Sequence, residues 1–200
     1  MNLWRGAPLV LASKSKVRRT LLEAAGIPVE IDSADIDERA AEAPHAGASP
    51  ENVALLLARE KALAVARRRR GALVLGADQT LALGNRRFSK PATIAAAREQ
   101  LALLSGKTHA LHSGVAMARD GAILFEAVAT AYLTMRALSD DALDTYLTAA
   151  GDQVLQSVGA YQLEGLGVHL FEKIEGDHFT ILGLALLPLL VFFRREGMLP

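Results

Sequence analysis

The stretch Ala-Leu-Val-Leu-Gly-Ala-Asp-Gln-Thr-Leu-Ala-Leu-Gly-Asn-Arg-Arg-Phe-Ser-Lys-Pro, residues 72–91, limits the architecture more than any other. An apolar run, Leu73 to Leu75, reads as a buried strand that carries one carboxylate, Asp78, to its open end. Gly84-Asn85 then offers a tight turn into a returning strand, and Lys90 is held by Pro91. A two-residue turn joins antiparallel strands only, so a sheet containing this unit is not wholly parallel. Helical segments alternate with strands elsewhere in the chain, and the expected class is an α/β domain with a mixed sheet.

Around that unit the pattern is regular. Pro8 to Ala12 reads as a short buried strand, and Ser13 and Ser15 open a helix that stops at Gly26. Residues 28–37 read as extended and acidic, and His45 to Pro50 as a loop. Ser49-Pro50-Glu51 starts a helix running to Arg70, with proline in its first turn. Helices are predicted near 93–104 and 140–149, and strands over 109–118, 124–135 and 168–171. A buried helix covers the apolar run Ile181 to Phe193 and closes on Arg194-Arg195, where cations suit the helix end.

The 200 residues suffice for one sizeable domain, or for two lobes sharing a sheet. Lys plus Arg and Asp plus Glu both number 22, so the net charge is zero and a general nucleic-acid binder is not expected. The Arg67–Arg70 run reads as a solvated helix end. There is no cysteine, which removes disulfides, thiol nucleophiles and thiolate metal sites. The N-terminus lacks the apolar core of a signal peptide, and the 13 residues from Ile181 to Phe193 are too few to span a bilayer. The expectation is a cytoplasmic protein with no membrane partner.

Four places carry chemistry. In Leu-Ala-Ser-Lys-Ser-Lys-Val-Arg-Arg, residues 11–19, a strand ends and serines cap a helix whose free N–H groups attract anions. Lys14, Lys16, Arg18 and Arg19 put cations where the helix dipole favours acids, and a bound anion would offset that cost. Lys61 shares a helical row with Leu57 and Val65, so it either snorkels or faces a polar cleft. The acidic segment closes at Glu38, which with Asp78 could hold Mg²⁺ or Mn²⁺ through hard oxygen ligands. In Gly159-Ala-Tyr-Gln-Leu-Glu-Gly-Leu-Gly167 the glycines permit close backbone approach around Glu164, a carboxylate able to accept the paired N–H donors of a guanine. His109 and His112 fall on a strand without metal-site spacing, and neither nucleotide fingerprint, G-x-x-x-x-G-K-[ST] or G-x-G-x-x-G, is present.

In their order, Leu-Ala-Ser-x-Ser-x-x-Arg-Arg (11–19), Asp-Ile-Asp-Glu (35–38), Glu-Lys-Ala (60–62), Gly-Ala-Asp (76–78), Lys-Pro (90–91), Ser-Gly-Lys-Thr-His (105–109), Ser-Gly-Val (113–115), Glu-Gly-Leu-Gly (164–167), Ile-Glu-Gly (174–176) and Gly-Leu (183–184) resemble the Maf family of nucleoside-triphosphate pyrophosphatases. The resemblance implies one domain over residues 1–200, made of two lobes with no separate linker, with a deep cleft and a fold shared with inosine triphosphatase-like enzymes. It implies a house-cleaning hydrolase that cuts the α–β phosphate bond of a triphosphate with Mg²⁺ or Mn²⁺, releasing a monophosphate and pyrophosphate, and it allows a homodimer. By motif position Asp78 would accept the proton of the attacking water and, with Glu38, hold the metal. Ser13, Arg18, Arg19, Lys61 and Lys90 would hold the triphosphate. Gln79 and Glu164 resemble the subgroup acting on 7-methylguanosine triphosphate, but Val17 stands where that subgroup has tryptophan, so cation–π selection of a methylated base is not expected. Val17, Gln79 and Glu164 would set specificity. Thr180 and Ala185 replace a usual asparagine and proline. The alternative from another class is a non-catalytic, nucleotide-binding regulator of septum formation. Retention of Asp78, Lys61 and Lys90 weighs against it, and the lack of a P-loop weighs against a phosphotransferase.

Overall fold

The structure, a computed structural model, describes residues 3–200. Among these residues the chain runs β1 (Leu9–Leu11), α1 (Lys16–Ala24), β2 (Val29–Ile31), α2 (Glu38–Glu42), α3 (Pro50–Ala66), β3 (Val74–Leu83), β4 (Arg86–Phe88), α4 (Ile94–Leu104), β5 (Thr108–Arg119), β6 (Ala122–Met135), α5 (Asp140–Ala150), β7 (Phe171–Glu175), α6 (His178–Ile181) and α7 (Leu186–Arg195). The strands form a mixed sheet in the order β2-β1-β3-β5-β6-β7, with β4 on β3 off this path. β1 is parallel to β2 and β3; β3–β4 is antiparallel, as the Gly84-Asn85 turn requires, and β6–β7 is antiparallel as well. The expected α/β class with a mixed sheet is what the chain adopts.

Two compact units divide the residues. The first comprises residues up to Gln79, His112–Ala129 and His178–Pro200. Its strands alternate faces with period two, and each face has its own core. Leu9, Leu11, Leu75, Ala77, Val115 and Met117 pack with Leu22, Leu189 and Phe193, residues from α1 and α7. Val10, Ala12, Val74, Ala116 and Ala118 pack with Ala58, Ala62, Val65 and Ala66 of α3. Helix α3 lies very close to the sheet, because glycines stand beneath it. A Cβ on Gly76 would fall 2.0 Å from the Ala58 carbonyl oxygen, and one on Gly114 would fall 2.5 Å from that of Ala54. Strand periodicity puts Gly76 and Asp78 on the same face, so the contact that admits the helix also sets Asp78 under it.

The second unit comprises Thr80–Leu111 and Thr130–Asp177. It buries Leu101, Leu104, Leu133, Met135 and Leu147. His109 is buried against Tyr161, with Nε2 2.7 Å from the phenol oxygen, and both rings contact Phe171. Close backbone approach in the glycine-rich segment is real at Gly159 and Gly167. A Cβ on Gly167 would meet the Gln162 carbonyl oxygen at 2.4 Å.

Four local expectations change. Asp37 accepts a hydrogen bond from the Ala40 amide and starts α2, a short helix that the acidic segment hid. Helix α3 ends at Ala66, before the arginine run. The strand expected over 168–171 is a 3-10 turn through Leu170 that gives way to β7. The C-terminal helix is broken: α6 ends at Ile181, and Gly183, at φ +91°, turns the chain before α7. Hydropathy alone could not reveal that break, since both pieces are apolar.

Candidate functional site

The first unit gathers its charges midway along β3: Asp78 stands inside a strand that runs on to Leu83, and not at an open strand end as the sequence suggested. Lys61 Nζ lies 2.6 Å from Asp78 Oδ1 and 2.7 Å from Glu38 Oε1, so one ammonium bridges two carboxylates. The row reading of Lys61 explains how it arrives there. Its neighbours Leu57 and Val65 are buried, and its own side chain is only 13% exposed. Asp78 is similarly enclosed at 14%, whereas Glu38 is half exposed. Burial raises the Asp78 pKa above the usual carboxylate range, opposed by the charges of Lys61 and Arg18 and by the Lys61 hydrogen bond, and reinforced by Glu38. Among the described residues no hydrogen bond reaches Asp78 Oδ2, so that oxygen can accept a proton from solvent or a ligand.

Arg18 comes from the start of α1. Ser15 caps this helix by accepting from the Arg18 amide. The guanidinium then crosses to three elements of the same unit. Nε donates to the Gly183 carbonyl at 2.7 Å, and Nη1 donates to the Ala77 carbonyl at 2.7 Å and to Ser13 Oγ at 3.1 Å. Three of its five N–H groups are thereby used, and the two on Nη2 remain for an anion. Burial lowers the pKa of Arg18, while Asp78 and Glu38 raise it. Ser13 Oγ also accepts from the Ser15 amide.

Gln79 follows Asp78. Its Nε2 donates to the carbonyls of Thr180 at 2.9 Å and Ile181 at 3.1 Å, and to Ser113 Oγ at 3.2 Å. Arg19 lies on the solvent side of α1 and pairs with Glu23 at 2.7 Å. Val17 is 36% exposed in the first turn of α1. Lys90 and Glu164 are exposed residues of the second unit, Lys90 just beyond β4 and Glu164 in the turn before the 3-10 segment. Ser13, Arg18, Glu38, Lys61, Asp78 and Gln79 are thus gathered in the first unit. Arg19 points its charge along its own helix.

The rest of the acidic segment has another task. Asp32 and the Ser33 carbonyl bind Arg68, and Glu30 binds Arg69. Arginines of the 67–70 run are therefore engaged with the end of β2, which leaves Glu38 as the acidic residue that reaches Lys61. Sequence reasoning missed Ser113, Thr180 and Gly183 as partners of Gln79 and Arg18. The Thr180 and Gly183 carbonyls leave no composition signal, and Ser113, which acts through its hydroxyl, is marked only by the Ser-Gly-Val motif at 113–115.

Comparison with known proteins identifies the family. Residues 8–196 match the family described as Maf-like protein. A nucleoside triphosphate pyrophosphatase of Bradyrhizobium diazoefficiens is 58% identical over 200 residues, covering 100% of this chain and 99% of that one. A 7-methyl-GTP pyrophosphatase of Brucella abortus is 55% identical over 190 residues, 94% of this chain and 96% of that one. A solved HAM1 protein from Coxiella burnetii has the same fold, with TM-score 0.51 at 15% identity, over 94% of this chain and 99% of that one. Among the described residues no helix is long and apolar enough to cross a membrane. With its motifs, its fold and near full-length matches all in agreement, this chain belongs to the Maf-like protein family.

Proposed function

We propose that this chain is a nucleoside-triphosphate pyrophosphatase that hydrolyses the α–β phosphate bond of a guanine-type nucleotide, in a house-cleaning role. The observation that carries the proposal is the buried Asp78 with its raised pKa, held by Lys61 and facing Arg18. General-base catalysis needs a carboxylate that can take a proton near neutral pH, and burial moves Asp78 toward that range. Asp78 Oδ2 takes the proton of a water whose oxygen attacks the α-phosphorus, and the bond to the bridging oxygen breaks to release pyrophosphate. Lys61 and Arg18 Nη2 neutralise the phosphate oxygens and Ser13 donates a hydrogen bond to them, with Arg19 adding positive potential.

A divalent cation fits the donor set. Glu38 and Asp78 converge on one cation already, the Lys61 ammonium, and hard carboxylate oxygens suit Mg²⁺ or Mn²⁺. When bound, such an ion would polarise the phosphate and offset its charge. Glu38 and Asp78 would hold it, while Lys61 turns to the substrate.

For the base, the Brucella relative and the residue pair Gln79 and Glu164 support guanine. Val17 offers no aromatic face, so GTP and 7-methyl-GTP are expected to show kcat/KM values within about tenfold of each other. Lys90 and Glu164 are tested separately by Lys90→Ala and Glu164→Gln, read as KM and as base preference. The deciding assay is a triphosphate panel with Mg²⁺ or Mn²⁺ that scores pyrophosphate against orthophosphate. Release of orthophosphate, or pyrimidine triphosphates as best substrates, would overturn the corresponding part of the proposal.

A further inference from the structure

We infer that Tyr161, with His109 and Tyr146, is a positioning residue that anchors the turn carrying Glu164, and that this anchor acts on the choice of base and not on the phosphate end of the substrate. This rests on the reading of Glu164 as a base-selecting carboxylate. Glu164 is exposed, and its side chain makes no hydrogen bond or ion pair among the described residues, so its aim is set by the backbone beneath it. That backbone closes on one residue. The Gly165 amide donates to the Gln162 carbonyl at 3.2 Å, and the Val168 amide donates to the Gly165 carbonyl at 3.2 Å. A Cβ on Gly167 would lie 2.9 Å from the Gln162 nitrogen, so the far side of the turn also rests on Gln162. The turn over 163–166 therefore goes where Gln162 goes, and Gln162 is joined directly to the buried Tyr161.

The root of the turn carries two local costs. Ala160 is fully buried at φ +61°, in the left-handed region where a Cβ is disfavoured. Gly159 before it, at φ +80°, has the same hand, and a Cβ there would fall 2.5 Å from Leu81 Cδ1 and 2.8 Å from Tyr161 Cε1. The Tyr146 hydroxyl, from α5, donates to the Ala160 carbonyl at 3.2 Å and ties the strained residue to a helix. The second cost lies at His109. Burial keeps its ring neutral, with a single N–H to place. Nε2 bonds the Tyr161 phenol, and Nδ1 is buried without a partner. An apolar pair would fill the same space and leave no nitrogen unsatisfied. What the polar pair adds is direction: a 2.7 Å bond fixes where the phenol can lie, while Phe171 closes the ring edge. A strained residue and an unsatisfied nitrogen at the root of one turn are tolerated for the geometry they hold.

The test uses Tyr161→Phe, which keeps the ring and removes the hydroxyl, and the same change combined with His109→Leu, which removes both polar partners. Hydrogen exchange of the Gly165 and Val168 amides reports the turn directly. Exchange is expected to accelerate about tenfold in both variants, and less so in Tyr146→Phe. The ratio of kcat/KM on GTP to that on UTP is expected to move about tenfold toward one, while binding of inorganic triphosphate, which has no base, stays within about twofold. A pair that only packs would lower Tm in the single variant, recover it in the double variant and leave the ratio unmoved, and that result overturns the positioning role. Unchanged exchange at 165 and 168 overturns the anchor itself. Equal weakening of inorganic triphosphate and GTP would overturn the confinement of the effect to the base. Should Glu164→Gln leave the ratio unmoved, the base-selecting reading of Glu164 falls, and the exchange measurement still decides the anchor.

Discussion

Lys61 and Arg98 each bridge two carboxylates, and they do so in opposite surroundings. Lys61 joins Asp78, midway along β3, to Glu38 in enclosed surroundings. Arg98, on α4, joins Asp140 at 2.8 Å and Asp144 at 2.6 Å on α5, with side chains 36% to 87% exposed. The bond lengths are alike, yet the physics differs. At Arg98 both hydrogen bonds hold the guanidinium above its usual pKa and Asp144 below its own, because solvent charges little for the ions. At Asp78 burial is the largest influence and pushes the carboxyl upward in spite of its lysine. Geometry alone would call the two clusters equivalent. Burial separates a solvated clamp from a carboxyl displaced toward its protonated form.

That contrast can be broken in several ways. Asp78→Asn keeps the shape and removes the proton acceptor, so kcat for pyrophosphate release should fall about a thousandfold while the far-ultraviolet spectrum is unchanged. Retained activity would remove Asp78 from the chemistry. Lys61→Met strips the enclosed carboxylate of its closest cation, and urea titration should show a loss of about 3 kcal/mol. A loss near zero would mean that Asp78 is already neutral or solvated.

A third region sharpens the comparison from the uncharged side. Burial lowers the pKa of His109 to about 4 from 6.5. The folded ring is then neutral over a range where the unfolded chain takes up a proton, so stability falls as pH drops from about 6.5 to about 4 and not further below. Over that window the wild-type protein should lose about 3 kcal/mol through this residue, a drop that His109→Gln removes. Coincident pH–stability curves would place His109 in contact with solvent. Smallest of all, Arg98→Ala should leave Tm nearly unmoved, and less so still in high salt.

The legibility of the site followed the same division. Serine caps, the Pro50 helix start and the Gly84-Asn85 turn are local chemistry, and each stands where the sequence put it. Lys61 could be read as facing a polar place because a charge on the Leu57–Val65 row needs one. The break at Gly183 and the carbonyl partners of Gln79 and Arg18 could not be read. They depend on backbone oxygens from residues 59 to 165 positions away in the chain, and those oxygens carry no side-chain signature. The acidic stretch 30–38 was legible as acidic but not as divided, since only packing decides that Asp32 answers Arg68 and Glu38 answers Lys61.

The missing side chain at Gly76 has a consequence for how this protein can change over generations. The Ala58 carbonyl lies where a methyl group would have to go, so any substitution at that position must lift α3 off the sheet. Lys61 rides on α3 and Asp78 on the strand below, so lifting the helix separates the pair that the proposed reaction uses. Residues on the outer side of α3 are free to drift, but under the proposed function Gly76 and its alanine neighbours are coupled to the reaction without touching any reactant. Selection on the reaction would therefore be felt as selection on thickness, at positions whose only property is to be small.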